Sequence, residues 1–318
     1  MKRRYLTLFC FLTLTLLSHH VHARSAGKIV FTSSRDGDRE IYVMNPDGSK
    51  QRNLTRHPAD DFDPIWSPNG KYILFVSNRD KVPDLYLMRA DGTGVRPVFK
   101  KLTPREQPTW SPDGTLLAYA RPDKNTIETA ISTGRGAKQL ARISFGRGYP
   151  AWSPDGMEIA YGWGQSMDIY LINVYTEAAM VLLKGRKMVM KHPAWSPGGD
   201  KIAFVALKWP QGHVGPLRVD DKMTLYVTTR DEARVTHLVK ERIVNHPTWS
   251  PHGDEILYER KEGGRTQLYK VAVTGRGKPI RLTTKGNNTD ADWFDAAALP
   301  VAPKAAQLTT VWGEMKRQ

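Results

Sequence analysis

The chain has 318 residues, long enough for one large domain or two small ones, and carries 47 Lys and Arg against 32 Asp and Glu, a formal charge of +15. Its one cysteine, Cys10, lies in an N-terminal apolar run, so a chain cut after residue 23 has no disulfide and no thiol chemistry. The positive balance favours anionic partners; nucleic acid would be the ordinary reading, and the N-terminal export pattern argues against it.

Residues 1–23 read as a secretory signal peptide. Lys2, Arg3 and Arg4 form a basic start, Tyr5 to Leu17 an apolar run, and Val21-His22-Ala23 a cleavage site. The run is too short to cross a bilayer comfortably. No small residue stands just before Cys10, which speaks against a lipoprotein. Cleavage removes basic residues and no acidic ones, so the remaining chain stays basic.

From Lys28 onward the elements repeat. "GKIVFTSS" reads as a strand, "SRDGDREIY" as a hairpin loop, "EIYVMN" as the next strand and "PDGS" as a turn. A further strand ends at Leu54-Thr55. Then "DPIWSPNG" brings Trp66, a Ser-Pro-x-Gly turn and the strand "KYILFVS". The tryptophan unit returns as "QPTWSPDG" at Trp110, "YPAWSPDG" at Trp152, "HPAWSPGG" at Trp195, "HPTWSPHG" at Trp249 and, degenerate, "DADWFDAA" at Trp293. A period of about 40–45 residues marks propeller blades of four strands. Pro sets φ at the second turn position, Gly ends the turn, and Trp offers the next sheet a flat packing surface.

The predicted fold is all-β: a six-bladed propeller over residues 24–294, followed by an Ala/Pro-rich tail over 295–318. The chain begins with a second-type strand and ends with a first-type strand, "TDADWF". Pairing Thr289–Phe294 with Lys28–Ser34 therefore closes the ring and removes an open edge.

These motifs resemble the TolB-type β-propeller repeat, with its P-x-W-S-P-D-G, I-Y-V-M-N, D-G-G and L-T elements. The resemblance covers about Lys28 to Phe294. It implies a six-bladed propeller in the periplasm of a double-membrane bacterium. TolB places an N-terminal domain before its propeller, whereas here the repeat starts soon after the predicted cleavage site. The resemblance thus carries fold and compartment further than the Tol–Pal role.

Propellers bind ligands where loops meet at the channel mouth. Three residues before each tryptophan stand Asp63, Gln107, Tyr149, His192, His246 and Asp290, all with polar groups. They are the candidate ligand-binding residues. A hydrated rim competes with that reading, and strand alternation alone leaves open whether they face the channel. His192 and His246 are the candidate metal ligands, although neither HExxH nor paired-cysteine spacing supports a metal. Some pectin-degrading lyases of similar architecture hold a metal by His and Gln near the axis. The expectation is no resident cofactor. Trp209, in the long "LKWPQGHVGPLRVDDK" insertion, is a candidate recognition residue. Arg105, Arg147, Lys191 and Arg242 are candidates for a basic mouth, with scattered surface charge as the competing reading.

No G-x-S-x-G elbow occurs. The expected protein is a non-enzymatic, monomeric binding propeller, periplasmic or secreted, with no membrane span after cleavage. Its expected partner is an envelope protein or an anionic polysaccharide. The alternative is a metal-assisted lyase or hydrolase acting on acidic glycans at a rim histidine site.

Overall fold

The computed structural model describes residues 27–143, 148–163, 168–208, 223–241 and 243–298. The predicted signal peptide, Arg147, Trp209, Arg242 and the tail beyond residue 298 lie outside them. Six antiparallel four-stranded sheets form the propeller, and the one helical turn among these residues is Ala296–Ala298. Blade 1 combines both chain ends: Asn288–Phe294 pairs with Lys28–Ser33, then come Glu40–Met44 and Arg52–Asn53. Blades 2 to 6 follow in chain order. Their first strands are Asp61–Trp66, Glu106–Trp110, Ala151–Trp152, Met188–Trp195 and Val244–Trp249. The predicted closure is present, with Lys28 opposite Phe294 and Ser33 opposite Asn288.

The Trp-Ser-Pro-x-Gly unit repeats its geometry from blade to blade. The Gly70, Gly114, Gly156, Gly199 and Gly253 N–H groups donate to Ser67, Ser111, Ser153, Ser196 and Ser250 carbonyls at 2.8–3.0 Å. Each serine hydroxyl also accepts an N–H five residues on, as in Tyr72 to Ser67 at 3.0 Å and Leu116 to Ser111 at 2.9 Å. The serine thus satisfies the backbone at both ends of the turn, which a larger or apolar residue would leave open.

Burial lies between blades. Each hydrophobic cluster joins two neighbouring sheets; one unites Val205 and Leu225 of blade 5 with Ile256 and Tyr258 of blade 6. Another closes the ring by joining Ile29 and Phe31 to Leu257 and Leu268. The tryptophans pack on the preceding blade, not the following one. Trp66 sits with Val30 and Ile41 of blade 1, and Trp249 Nε1–H donates to Ala194 O of blade 5 at 3.0 Å.

Closure extends beyond strand pairing. The Asp292 carboxylate accepts the Trp66 N–H at 2.7 Å, and the Trp66 and Phe294 rings lie 5.6 Å apart. Gly70 has φ +66°, and a Cβ there would come 2.2 Å from Cε1 of Phe294. Gly70→Ala should therefore lower stability by about 1–3 kcal/mol. Phe294→Val in the same chain should recover part of that loss, because it removes the clash and leaves the φ strain. Equal thermal midpoints for Gly70→Ala and the parent would contradict this packing.

Candidate functional site in the axial channel

The six belt residues, five of them followed by proline and Asp290 by Ala291, converge on the axis through one backbone device. Asp63, Gln107, Tyr149, His192, His246 and Asp290 all have positive φ, between 40° and 54°. That left-handed conformation costs a side-chain-bearing residue roughly 1–2 kcal/mol. In blades 1, 2, 3, 5 and 6 it coincides with a register shift in the pairing of first and second strands. The first strand bulges there and turns these side chains inward. Pro64, Pro108, Pro150, Pro193 and Pro247 follow, with no N–H to leave unpaired, and with Ala291 they line the wall.

The belt divides the channel. On the side of the Ser-Pro turns is a funnel of about 290 Å³, lined by the prolines, Ile65, Thr109, Trp152 and Trp195. Beyond the belt is a more polar chamber that includes Thr32, Arg39, Glu106, Asn287 and Thr289. Asp63, Gln107, Tyr149, His246 and Asp290 line both.

Neighbouring blades are stitched together at this level. The Gln107 N–H donates to Asp63 Oδ2 at 3.2 Å, the Tyr149 N–H to Gln107 Oε1 at 3.0 Å, and the His246 N–H to His192 Nδ1 at 3.4 Å. The inward bulge thus gives the side chains of Asp63, Gln107 and His192 a backbone donor on the next blade. The Tyr149 ring meets that of His192 edge-on at 4.0 Å, and His192 stacks on His246 at 4.0 Å and 20°. Three contacting rings fill the blade 4 to 6 half of the belt.

The other half is acidic. Glu259, only 3% exposed, approaches His246 Nδ1 at 2.7 Å and accepts the Asp290 N–H at 2.7 Å. Asp290 Oδ1 lies 3.8 Å from the same His246 nitrogen, while His246 Nε2 is buried without a hydrogen-bond partner. Burial alone would lower the His246 pKa. Glu259, Asp290 and Asp63 more than offset that, and it is pushed up to about 9. Burial, then the charge of Asp290, holds Asp63 well above the usual carboxylate range. Burial also raises Glu259 and pushes Asp292 up to about 6.

Glu259 and Asp292 escaped the sequence reading, yet both break the repeat. Where Glu259 stands, the other blades carry Thr32, Val76, Ala120, Gly162 and Val205. Where Asp292 stands, immediately before the tryptophan, they carry Ile65, Thr109, Ala151, Ala194 and Thr248. A carboxylate at a position that is apolar or small elsewhere was the available signal. One expectation is corrected: Arg105 does not make a mouth basic. It is buried over the Phe99 ring, 3.6 Å to its centroid, and pairs with Asp84 at 2.8 Å. Burying a guanidinium requires such a partner.

Among the described residues, the group with metal-ligand spacing is His246, Glu259 and Asp290, whose ligand atoms lie within 4.8 Å of one another. The candidate pair His192 and His246 stack ring on ring at 4.0 Å, and His192 Nδ1 accepts the His246 N–H. An imidazole with two carboxylates suits a divalent ion of intermediate or hard character, which would displace the proton between His246 and Glu259.

The fold is a closed six-bladed propeller with a polar belt across an otherwise proline-walled channel. The chain belongs to the TolB beta propeller domain family, whose profile matches residues 23–161 and 148–299. Over 45 residues it is 42% identical to the Tol-Pal system protein TolB of Geobacter sulfurreducens, a match spanning 14% of this chain and 10% of that protein. The crystal structure of TolB from Acinetobacter baumannii superposes with a TM-score of 0.73 at 20% identity, covering 84% of this chain and 66% of that one. An oligogalacturonate lyase in complex with manganese gives a TM-score of 0.50 at 15% identity, covering 82% and 74%. Likenesses at such identities show the fold alone.

The raised His246 pKa has a consequence for stability. A proton held more tightly when folded stabilises fully below the ordinary pKa of 6.5 and ceases to do so as pH rises through about 9. The thermal midpoint should fall as pH is raised from 6.5 to 9. His246→Gln, with no titrating ring, should flatten that slope; an undiminished slope in the variant would place the titration elsewhere.

Proposed function

We propose that this protein is an exported, non-enzymatic binding propeller of the bacterial envelope that presents its proline-walled funnel to a protein partner. The observation that carries the reading is the funnel itself: a preformed concave site with apolar walls and a few convergent polar groups at its floor. The TolB beta propeller family supports it, because the relative from Geobacter sulfurreducens is a Tol-Pal system protein. The N-terminal basic and apolar pattern supports export. An anionic polysaccharide is the other expected class of partner, and the basic balance of the chain favours it.

Affinity capture from the native envelope tests the reading. Wild-type protein should retain one stoichiometric protein partner. Thr109→Tyr, which fills the funnel wall, should lose it while keeping the far-ultraviolet spectrum of the folded chain. Capture that is indifferent to Thr109→Tyr, or retention of glycan alone, would overturn the proposal.

The second reading, metal-assisted cleavage of acidic glycans, is favoured by the spacing of His246, Glu259 and Asp290. It predicts a stoichiometric metal in the purified protein, turnover of uronate polymers, and loss of both in Glu259→Gln. Metal-free protein without turnover would remove it.

A further inference from the structure

Carboxyl side chains line the channel of a chain whose formal charge is positive. Asp63, Asp290 and Asp292 line the funnel, with Glu259 buried behind them, and among the described residues no Lys or Arg stands in its lining. The imbalance is sectoral. Blades 6, 1 and 2 supply these four carboxylates, while blades 3, 4 and 5 supply Gln107, Tyr149 and His192 at belt level. The cationic group facing them is His246, which is already engaged with Glu259 and Asp290. On the far side of the belt, Arg39 is paired with Asp60 at 3.1 Å, and Glu106 adds a further acid. Among the described residues, the funnel lining of this chain of charge +15 has carboxylates in excess of cations.

We propose that the funnel selects a primary ammonium or guanidinium group carried on an apolar stem, the side chain of a lysine or arginine of the partner, with its stem along the prolines and its cation against Asp63, Asp290 and Asp292. The inference rests on the reading of the funnel as a docking site and names what docks. Long basic side chains suit the shape, because their methylenes bury readily while the charged head seeks polar company. Trp152 and Trp195 in the wall add aromatic surface that attracts such a cation. Buried carboxylates without a counter-ion are costly, and an entering cation relieves that cost.

The test uses n-butylammonium as a probe of the full-length protein by calorimetric titration, with n-butanol and butyrate as matched controls. Butylammonium should bind at least tenfold more tightly than either control at pH 8. Asp63→Asn and Asp292→Asn keep the oxygens that accept the Gln107 and Trp66 N–H groups, so both should fold. Each should weaken butylammonium at least fivefold. Equal binding of butanol, undiminished binding in both variants, or a divalent ion that binds and is not displaced by butylammonium would overturn the inference. A partner captured through the funnel, with butylammonium failing to bind, would defeat this inference and leave the docking reading standing. Butylammonium binding with capture indifferent to Thr109→Tyr would do the reverse.

Discussion

Everything in this molecule depends on the pairing of Asn288–Phe294 with Lys28–Ser33, which joins residues from opposite ends of the chain into one blade. The hydrophobic core is distributed between sheets, so each blade is half of two cores. Removing one junction would expose two apolar sheet faces together. Without closure, the Lys28–Ser33 strand would also present an unpaired edge, the usual template for aggregation. The Trp66 N–H bond to Asp292 and the Trp66–Phe294 contact carry that junction to the wall of the channel. Closure and site are therefore built from some of the same residues.

The site arises from a conflict between strand geometry and ring geometry. A regular first strand would alternate its side chains between neighbouring blades. The left-handed residue before each proline interrupts that alternation and sends one side chain per blade to the axis. Its conformational cost is offset by what it permits: the N–H of one blade reaches the belt side chain of the previous one. Strain at a recurring position here organises the whole circumference.

Within this symmetric frame, function must come from departures from symmetry. Five blades hold a small or apolar residue opposite the belt, and the sixth holds Glu259. Five hold a neutral residue before the tryptophan, and blade 1 holds Asp292. Because both lie near the closing junction, acidity concentrates in one sector while stacked rings fill the other. A basic exterior then surrounds an acidic passage. That arrangement lets long-range attraction for anions and local selection of a cation coexist on one molecule.

The blades were legible in the chain because their signals are local. Trp-Ser-Pro-x-Gly specifies its own turn, and the offset between first and last strands specifies how the ring closes. The six belt positions were visible as a column of polar residues, but not their direction, since the left-handed bulge that aims them inward is selected by cross-blade hydrogen bonds. Arg105 was misplaced for the same reason: its partners Asp84 and Phe99 come from strand and loop positions that only packing brings together. The sequence by itself determined six blades, their order and their closure, because turn chemistry and hydrophobic period act over a few residues. Tertiary structure alone decided which carboxylates share the channel and what charge they carry, because burial and proximity across blades set the energy of ionisation.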